Sequence, residues 1–135
     1  MSALFVEWMA VRDFRRAVVL LQADFVDKIL SPPGTRDYRA VSAVSQISTA
    51  VKVVSKVGRM AFTPPPRVDS VLALIRPKLR MTASQVSMVK MLFSLRRRTV
   101  ASAARELGLS IPDQKYNARR VYSLSPEEVC EVCPE

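Results

Sequence analysis

The alternation of apolar and polar positions predicts a mixture of helices and strands in the first 79 residues. Apolar residues recur at helical spacing over residues 2–11, which indicates a short helix. Residues 17–21 form a continuous apolar run bounded by charge, and this pattern is typical of a strand buried on both faces of a parallel sheet. The same reasoning predicts helices over residues 25–30 and 38–47 and an antiparallel pair of strands over residues 50–57 and 68–75.

From residue 80 onward the apolar pattern becomes helical. One helical stretch ends at Gly108, which is a natural stop because glycine tolerates a left-handed backbone. Ser125 and Pro126, followed by two glutamates, supply the cap, first-turn proline and acidic first turn of a last short helix. The sequence therefore predicts an α/β segment over residues 1–79 and a small all-helical segment over residues 80–135.

Residues 62–70, with the sequence FTPPPRVDS, form the least ordinary stretch of the chain. Three consecutive prolines fix φ and remove three backbone donors, so this segment cannot lie within a helix or a central strand. The expected structure is a rigid loop that holds Phe62 still, which suits stacking against a base. The alternative is a stiff hairpin connection whose Phe62 folds back onto the core.

Positive charge is concentrated in one block of the chain. The formal net charge is +9, and residues 76–120 hold eleven Lys and Arg against two acidic residues. The last fifteen residues are acidic. This uneven distribution favours a polyanionic partner such as nucleic acid, although a solvated basic face is the alternative.

Other residue types exclude several classes of function. The chain has no histidine, which argues against hydrolase triads, and Cys130 and Cys133 supply half of a structural zinc site at most. We expect these cysteines to be reduced thiols on a terminal helix, and we expect no metal. Charged residues interrupt every apolar run, so neither a membrane span nor a secretory signal is predicted, and the expected location is cytoplasmic.

Four segments taken in order resemble a known family. They are VVLLQ with a following phenylalanine at residues 18–25, PGTRDY at residues 33–38, FTPPPRVDS at residues 62–70 and FSLRRRT at residues 93–99. Together they resemble the C-terminal half of the ribosomal RNA adenine N6,N6-dimethyltransferases, the KsgA-type enzymes related to the Erm resistance methylases. The resemblance extends from about residue 2 to about residue 128, and its proline-rich element is fairly specific.

The resemblance implies the edge of a class I methyltransferase sheet, which is Rossmann-like, followed by a small helical RNA-contacting domain. In that sheet order, residues 17–21 form an inner parallel strand with one neighbour outside this chain. The complete family uses S-adenosylmethionine, held by a Gly-rich loop, and an N-x-x-Y motif for catalysis; neither motif occurs here. We therefore expect no cofactor for this chain alone, no catalytic residue, and activity only within a more complete enzyme of ribosome biogenesis.

The same resemblance implies roles for individual residues. Phe62 corresponds to the residue that packs against the extruded target adenine, and Pro64 and Pro66 would keep it rigid. The basic side chains of the fourth segment and of the helix after it would contact RNA phosphates; they are Arg96, Arg97, Arg98 and Arg105. Gln22 matches a polar residue on the substrate side, although the residues after Gln22 and around Arg39 depart from the family pattern.

Several alternatives stay open on the sequence. Residues 100–110 resemble one helix and the turn of a helix-turn-helix DNA reader, but Pro112 interrupts the expected recognition helix. The partner is expected to be RNA, most simply small-subunit ribosomal RNA, together with a complementary N-terminal methyltransferase fragment. The chain could equally be a truncated gene product, half of a split enzyme or a stand-alone RNA-binding module.

Overall fold

A computed structural model describes residues 2–111 and 113–133 of the protein. Within that part of the chain, helices and strands are mixed up to residue 77 and helices alone follow. The regular elements are α1 (Ser2–Ala10), β1 (Ala17–Gln22), α2 (Ala23–Ile29), α3 (Ala40–Ser48), β2 (Thr49–Val57), β3 (Ser70–Pro77), α4 (Ala83–Ser94), α5 (Val100–Leu107) and α6 (Pro126–Val132). This order confirms the predicted α/β class, and each predicted element is present within a few residues.

The strands form a sheet in which β3 lies between β1 and β2, and both pairings are antiparallel. The antiparallel pairing of β2 with β3 was predicted and is confirmed. The prediction for β1 is corrected: among the described residues it pairs with β3 alone, so it is an edge strand. Its parallel neighbour, implied by the resemblance, belongs to no described part of this chain.

The two faces of the sheet differ in how well they are covered. Helices α1, α2 and α3 close over the face that carries Val51 and Ile75. On the opposite face, Val18 lies directly across from Leu74 and Leu20 across from Leu72. Val18 is 61% exposed and Leu20 is 46% exposed, so the expected burial of β1 on both faces is wrong for this chain. The apolar run of β1 therefore presents one row of side chains to solvent.

Helix α3 is the centre of the molecule. It packs against α1, α2, α4 and α6, and its serines allow this close approach because their side chains are small. Ser48 Oγ donates to the Val44 carbonyl at 2.6 Å, so this buried hydroxyl keeps a hydrogen bond inside its own helix. The buried cluster includes Val6 and Tyr38 as well as Leu124 and Val132, and it joins both parts of the sequence. The division at residues 79 and 80 stays a prediction.

Local capping explains where the later helices begin and end. Thr82 Oγ1 accepts from the Gln85 amide at 3.1 Å, while Gln85 Oε1 accepts from the Thr82 amide at 2.9 Å. Ser125 caps α6 in the same reciprocal way, as its sequence predicts. Gly108 ends α5 with φ +71°, the left-handed conformation that glycine adopts most easily. Among the described residues, no helix has the length and hydrophobicity needed to cross a membrane.

Candidate nucleic-acid interface

The proline-rich segment is an irregular loop between β2 and β3, as predicted. A short 3₁₀ turn at Arg59–Ala61 opens it, and its prolines lie outside regular structure, with a cis peptide bond before Pro64. Asp69 closes the loop: its Oδ1 accepts from the Arg59 amide at 2.9 Å, and its carbonyl accepts from the Ala23 amide at 3.0 Å. The base of the loop is thus fixed both to itself and to the first residue of α2.

Phe62 follows the 3₁₀ turn and is half-buried, while Pro64 and Pro66 are exposed. The neighbouring Met60 is 77% exposed, so the loop carries apolar groups into solvent. Half-burial leaves part of the Phe62 ring accessible and part of it packed. The stacking role of Phe62 and the rigidity role of the two prolines stay predictions.

Gln22 lies at the same end of the sheet as this loop. It is the last residue of β1, pairs in register with Ser70 at the start of β3, and is exposed. The chain passes directly from Gln22 into α2. The structure therefore brings Gln22 and the base of the proline loop together, although its substrate-side role stays a prediction.

The arginine segment lies in the turn that joins α4 to α5, where it runs alongside a later stretch of chain. The Tyr122 amide donates to the Arg96 carbonyl at 3.1 Å, and the Val121 amide donates to the Arg98 carbonyl at 3.1 Å. The Val100 amide donates to the Arg119 carbonyl at 2.8 Å. These backbone bonds fix the turn, so the arginine side chains leave a positioned backbone.

Arg96 is half-buried and stands apart from the other two arginines of the turn. Its guanidinium lies over the Tyr122 ring, 5.4 Å from the ring centre, and its Nη2 is 3.4 Å from the carbonyl oxygens of Thr35 and Arg36. Its Nε is enclosed and has no partner among the described residues. Burial and the neighbouring Arg39 and Arg97 lower the pKa of Arg96.

Arg97 and Arg98 are both exposed, but they differ in their partners. Arg98 Nη1 forms an ion pair with the Glu106 carboxylate. Arg97 takes part in none of the cation–carboxylate pairs found among the described residues. Arg105 is exposed in the last turn of α5, where a positive charge also favours the helix end. Arg98 therefore already has a local acid as its partner, and its expected contact with RNA stays a prediction.

A cleft of about 420 Å³ lies between the loop after α2, the arginine turn and a 3₁₀ turn at Val121–Ser123. The described residues that line it include no acidic side chain; they are Gly34, Thr35, Arg36, Arg96, Arg97, Arg120 and Tyr122. A second cleft of about 560 Å³ borders the other side of the same turn. Below, the first of these is called the arginine cleft.

Sequence reasoning missed Arg36, Arg120 and Tyr122 as members of this surface. Arg36 lies within the PGTRDY segment, which was noted for its resemblance, and Gly34 of that segment donates to the Tyr122 carbonyl at 2.8 Å. Arg120 follows Arg119 in a basic pair near the end of the basic block. The basic pair is visible in the sequence. Because it follows the arginine turn by more than twenty residues, the sequence does not show that Arg120 and Arg97 line the same cleft.

The cysteines lie on and just after α6 as free thiols, in agreement with the expected placement. Burial, followed by the neighbouring Cys130, raises the pKa of the Cys133 thiol to about 12, so this thiol stays protonated at neutral pH. Over residues 2–111 and 113–133, no group of three or more His, Cys, Asp or Glu side chains converges as a metal site.

Comparison with known proteins identifies related sequences. The family model described as Ribosomal RNA adenine dimethylase matches residues 1–131. A Pyrococcus abyssi protein named "Probable ribosomal RNA small subunit methyltransferase A" is 39% identical over 132 residues, which cover 89% of this chain and 49% of that protein. A Thermotoga neapolitana protein named "Ribosomal RNA small subunit methyltransferase A" is 33% identical over 129 residues, covering 94% of this chain and 48% of that protein.

Comparison with solved structures gives the same result for the fold. The structure of a dimethyladenosine transferase from Plasmodium falciparum matches with a TM-score of 0.78 and 19% identity, covering 96% of this chain and 59% of that one. This likeness confirms the methyltransferase-type α/β fold that the resemblance implied. The chain spans about half the length of the curated relatives it matches.

Proposed function

The chain belongs to the ribosomal RNA adenine dimethylase family, and from this we propose that it supplies the RNA-contacting part of such an enzyme. Members of the family carry names that refer to small-subunit ribosomal RNA, so we propose that RNA as the substrate. The complete reaction would transfer methyl groups from S-adenosylmethionine to the exocyclic amine of adenine. This chain would bind and orient the RNA for that reaction, in the cytoplasm.

The observation that carries the proposal is the convergence of arginines on a cleft whose described lining contains no acid. Arg36, Arg96, Arg97 and Arg120 reach it from three separate stretches of chain. None of these four takes part in a cation–carboxylate pair among the described residues. Because phosphate oxygens are the natural partners of guanidinium groups, such a surface suits an RNA backbone.

The proline loop would provide a second contact of a different kind. Phe62 is half-buried at the end of the sheet where Gln22 also lies, and an aromatic face of this kind offsets the stacking lost by an extruded base. We infer that this end of the sheet holds the target adenine. In this arrangement the arginine cleft contributes charge and the loop contributes a surface for the base.

A cofactor site is not part of the proposal for this chain. A Gly-rich loop between a strand and a helix is the usual cradle for the cofactor, but β1 passes into α2 at Gln22 and Ala23 without a glycine. Gly34 instead follows α2, and its amide donates to the Tyr122 carbonyl. The residues at this junction do not fit S-adenosylmethionine. That the chain alone does not bind the cofactor stays a prediction.

We infer that a complementary methyltransferase part covers the open side of β1. The strand has one described neighbour, and its outward-facing Val18 and Leu20 are exposed, so further strand pairing and apolar burial are available there. A stand-alone RNA-binding module would have no use for an apolar row of this kind. This partner fits the length of the relatives, of which the chain spans about half.

The helix-turn-helix alternative receives no support from the fold. Gly108 does end α5 as such a motif requires, but residues 109–111 and 113–125 contain two short 3₁₀ turns in place of a recognition helix. Pro112, on which part of the sequence argument depended, lies outside the described residues. The family match over residues 1–131 also accounts for this region.

The proposed RNA contact is tested by the salt dependence of binding. The full chain, at nanomolar concentration, is titrated with a fluorescently labelled single-stranded RNA at several salt concentrations. The double variant Arg97→Ala, Arg120→Ala should lower the slope of log affinity against log salt by about 1.4, because each lost phosphate contact contributes about 0.7. Arg98→Ala should change the slope much less, because Arg98 is paired with Glu106.

A matched control for this experiment lies just before β1. Arg15 and Arg16 are adjacent and exposed, and replacing both with Ala removes the same charge from a different part of the surface. This control should leave the salt slope nearly unchanged. If the wild-type chain bound RNA with no salt dependence, or if the control lowered the slope as much as the Arg97 and Arg120 changes, the proposed function would be wrong.

A further inference from the structure

The arginine cleft has a shape and a lining that bulk charge alone does not require. Its volume of about 420 Å³ lies within the range of about 300–1,000 Å³ found for small-ligand pockets. Three of its walls come from distant stretches of chain, and Tyr122 supplies an aromatic surface among the arginines. A patch that merely attracted a polyanion would need neither concavity nor an aromatic ring.

Tyr122 and Arg96 form one layered surface within the cleft. The Arg96 guanidinium lies 5.4 Å from the centre of the Tyr122 ring, and both side chains are half-buried. Planar guanidinium groups and aromatic rings are the surfaces on which unpaired bases stack in RNA complexes. This pair therefore offers a place for a base beside a place for a phosphate.

Arg97 and Arg120 occupy the charged side of the cleft. Arg120 Nη1 donates to the Arg97 carbonyl at 3.0 Å, so one nitrogen of its guanidinium is used to hold the turn. Its remaining donors and the whole Arg97 guanidinium form no ion pair among the described residues, and both side chains are exposed. Two guanidinium groups on one side match the oxygens of a single phosphate.

The backbone around the cleft is already fixed. The Tyr122 amide is bound to the Arg96 carbonyl at 3.1 Å, and the Tyr122 carbonyl accepts from the Gly34 amide at 2.8 Å. The loop after α2 and the arginine turn are therefore tied to the same residue. A site held in place before binding loses less entropy when its ligand arrives.

From this arrangement we propose that the arginine cleft binds one unpaired nucleotide of the RNA, with its phosphate on Arg97 and Arg120 and its base against the Arg96–Tyr122 pair. The inference rests on the proposed function and adds a preference for single strands. A base in a duplex is stacked on both faces and cannot enter a concave site, whereas a base in a loop or bulge can. The nucleotide is separate from the target adenine assigned to Phe62.

The test compares two RNA probes on the full chain by fluorescence anisotropy. One probe is a labelled single strand of about ten nucleotides, and the other is the blunt duplex of the same sequence. Tyr122→Leu retains apolar bulk but removes the ring, so it should weaken single-strand binding by about tenfold, the loss expected for one stacking contact. Binding of the duplex should change by less than about twofold, and Tyr122→Phe should restore single-strand binding.

Trp8 provides a matched control. The Arg12 guanidinium lies 4.7 Å from the centre of the Trp8 ring, so this pair repeats the chemistry of Arg96 and Tyr122 at the end of α1, and neither residue lines the cleft. Trp8→Leu should leave both affinities unchanged. The inference is overturned if Tyr122→Leu weakens both probes equally or neither, or if Trp8→Leu has the same effect. Failure of the wild-type chain to bind either probe would overturn the proposed function along with it.

Discussion

Two regions of this chain, a sheet region of residues 2–79 and a helical region of residues 80–111 and 113–133, differ in how completely they bury their apolar side chains. In the sheet region, β1 is an edge strand whose Val18 and Leu20 face solvent. In the helical region, Thr82, Thr99 and Ser125 cap their helices, and α4 and α6 pack onto α3. The helical region caps its helices with local hydrogen bonds and buries its apolar side chains against α3, whereas the sheet region leaves an apolar row uncovered.

This difference separates the two kinds of interaction that the chain is suited to make. An apolar sheet face and an open strand edge are suited to another protein segment, since such surfaces gain by burial and by backbone pairing. A cleft lined by arginines is suited to a polyanion and remains in water until its ligand arrives. We therefore propose that the sheet region assembles with another protein segment and that most of the RNA contacts belong to the helical region.

The largest expected effect concerns the uncovered row on β1. We expect the isolated chain to self-associate in size-exclusion chromatography, because an apolar strand edge pairs readily with a second copy. Changing Val18 and Leu20 to Thr retains β-strand preference but removes apolar surface, and it should shift the chain towards monomer. Co-expression with a complementary fragment that supplies the remaining half should have the same effect.

Met60 offers a control for that experiment, because it is more exposed than Val18 but lies outside the strands. Met60→Thr should leave the elution volume unchanged. A wild-type chain that eluted as a single monomeric species and unfolded cooperatively would show that the chain closes its own core. That outcome would contradict the difference drawn between the two regions.

The next prediction separates the contribution of charge to RNA affinity from the contribution of base stacking. Replacing Phe62 with Ala should weaken binding of an RNA that carries an extruded adenine by about 1–3 kcal/mol, the usual contribution of one stacked base. The salt slope should stay the same, because no phosphate contact is lost. Pro64→Ala and Pro66→Ala should have smaller effects of the same sign.

The measurement for Phe62 pairs RNA affinity with thermal unfolding of the same variant. Phe62 is half-buried, so it could serve the core or the binding of RNA. Loss of a binding role lowers RNA affinity, whereas loss of a core role lowers thermal stability. Lower thermal stability with unchanged affinity would assign Phe62 to the core and would remove the proline loop from the proposed RNA surface.

The smallest effect concerns Tyr38, which joins the two regions. Tyr38 packs edge-on against Phe93 with ring centres 5.5 Å apart, and its buried hydroxyl finds no hydrogen-bond partner among the described residues. An unsatisfied buried hydroxyl costs about 1–3 kcal/mol, so Tyr38→Phe should raise the free energy of unfolding by about 1 kcal/mol. Denaturant unfolding measures this change directly.

The pH dependence of the free energy of unfolding gives an independent check that the Tyr38 hydroxyl is buried. Burial, together with the charges of Glu127 and Glu128 and with Cys130, raises the pKa of Tyr38. The unfolded chain ionises this hydroxyl near pH 10 while the folded chain keeps it neutral, so stability should fall as the pH rises above about 10. Tyr38→Phe should reduce that fall. An equal loss of stability in both proteins would show that the Tyr38 hydroxyl is accessible.

The sequence predicted those features that depend on neighbouring residues. Ser125 with Pro126, and Gly108 after its helix, are local signals and were correctly interpreted. The neighbours of β1 depend on where β3 folds, fifty residues later, so an apolar run alone indicated burial on two faces that this chain does not provide. Length and apolarity describe a strand but not its partners.

The candidate site shows the same limit. The resemblance of residues 93–99 to the family segment singled out Arg96 and Arg97, but their environment is set by Tyr122 and by Gly34, which are distant in sequence. Arg98 resembles them in sequence and differs in structure, because the turn brings Glu106 within reach of it. Which side chains meet across a turn depends on the tertiary structure, and the residues of the turn alone do not reveal it.

We propose that the chain holds an RNA surface and that the cofactor surface belongs to a complementary part of the enzyme. A calorimetric titration of S-adenosylmethionine into the full chain tests this most directly, with RNA titrated into the same preparation to show that it is folded and active in binding. We predict saturable binding of RNA and no saturable binding of S-adenosylmethionine. Saturable binding of S-adenosylmethionine in the micromolar range would contradict the account.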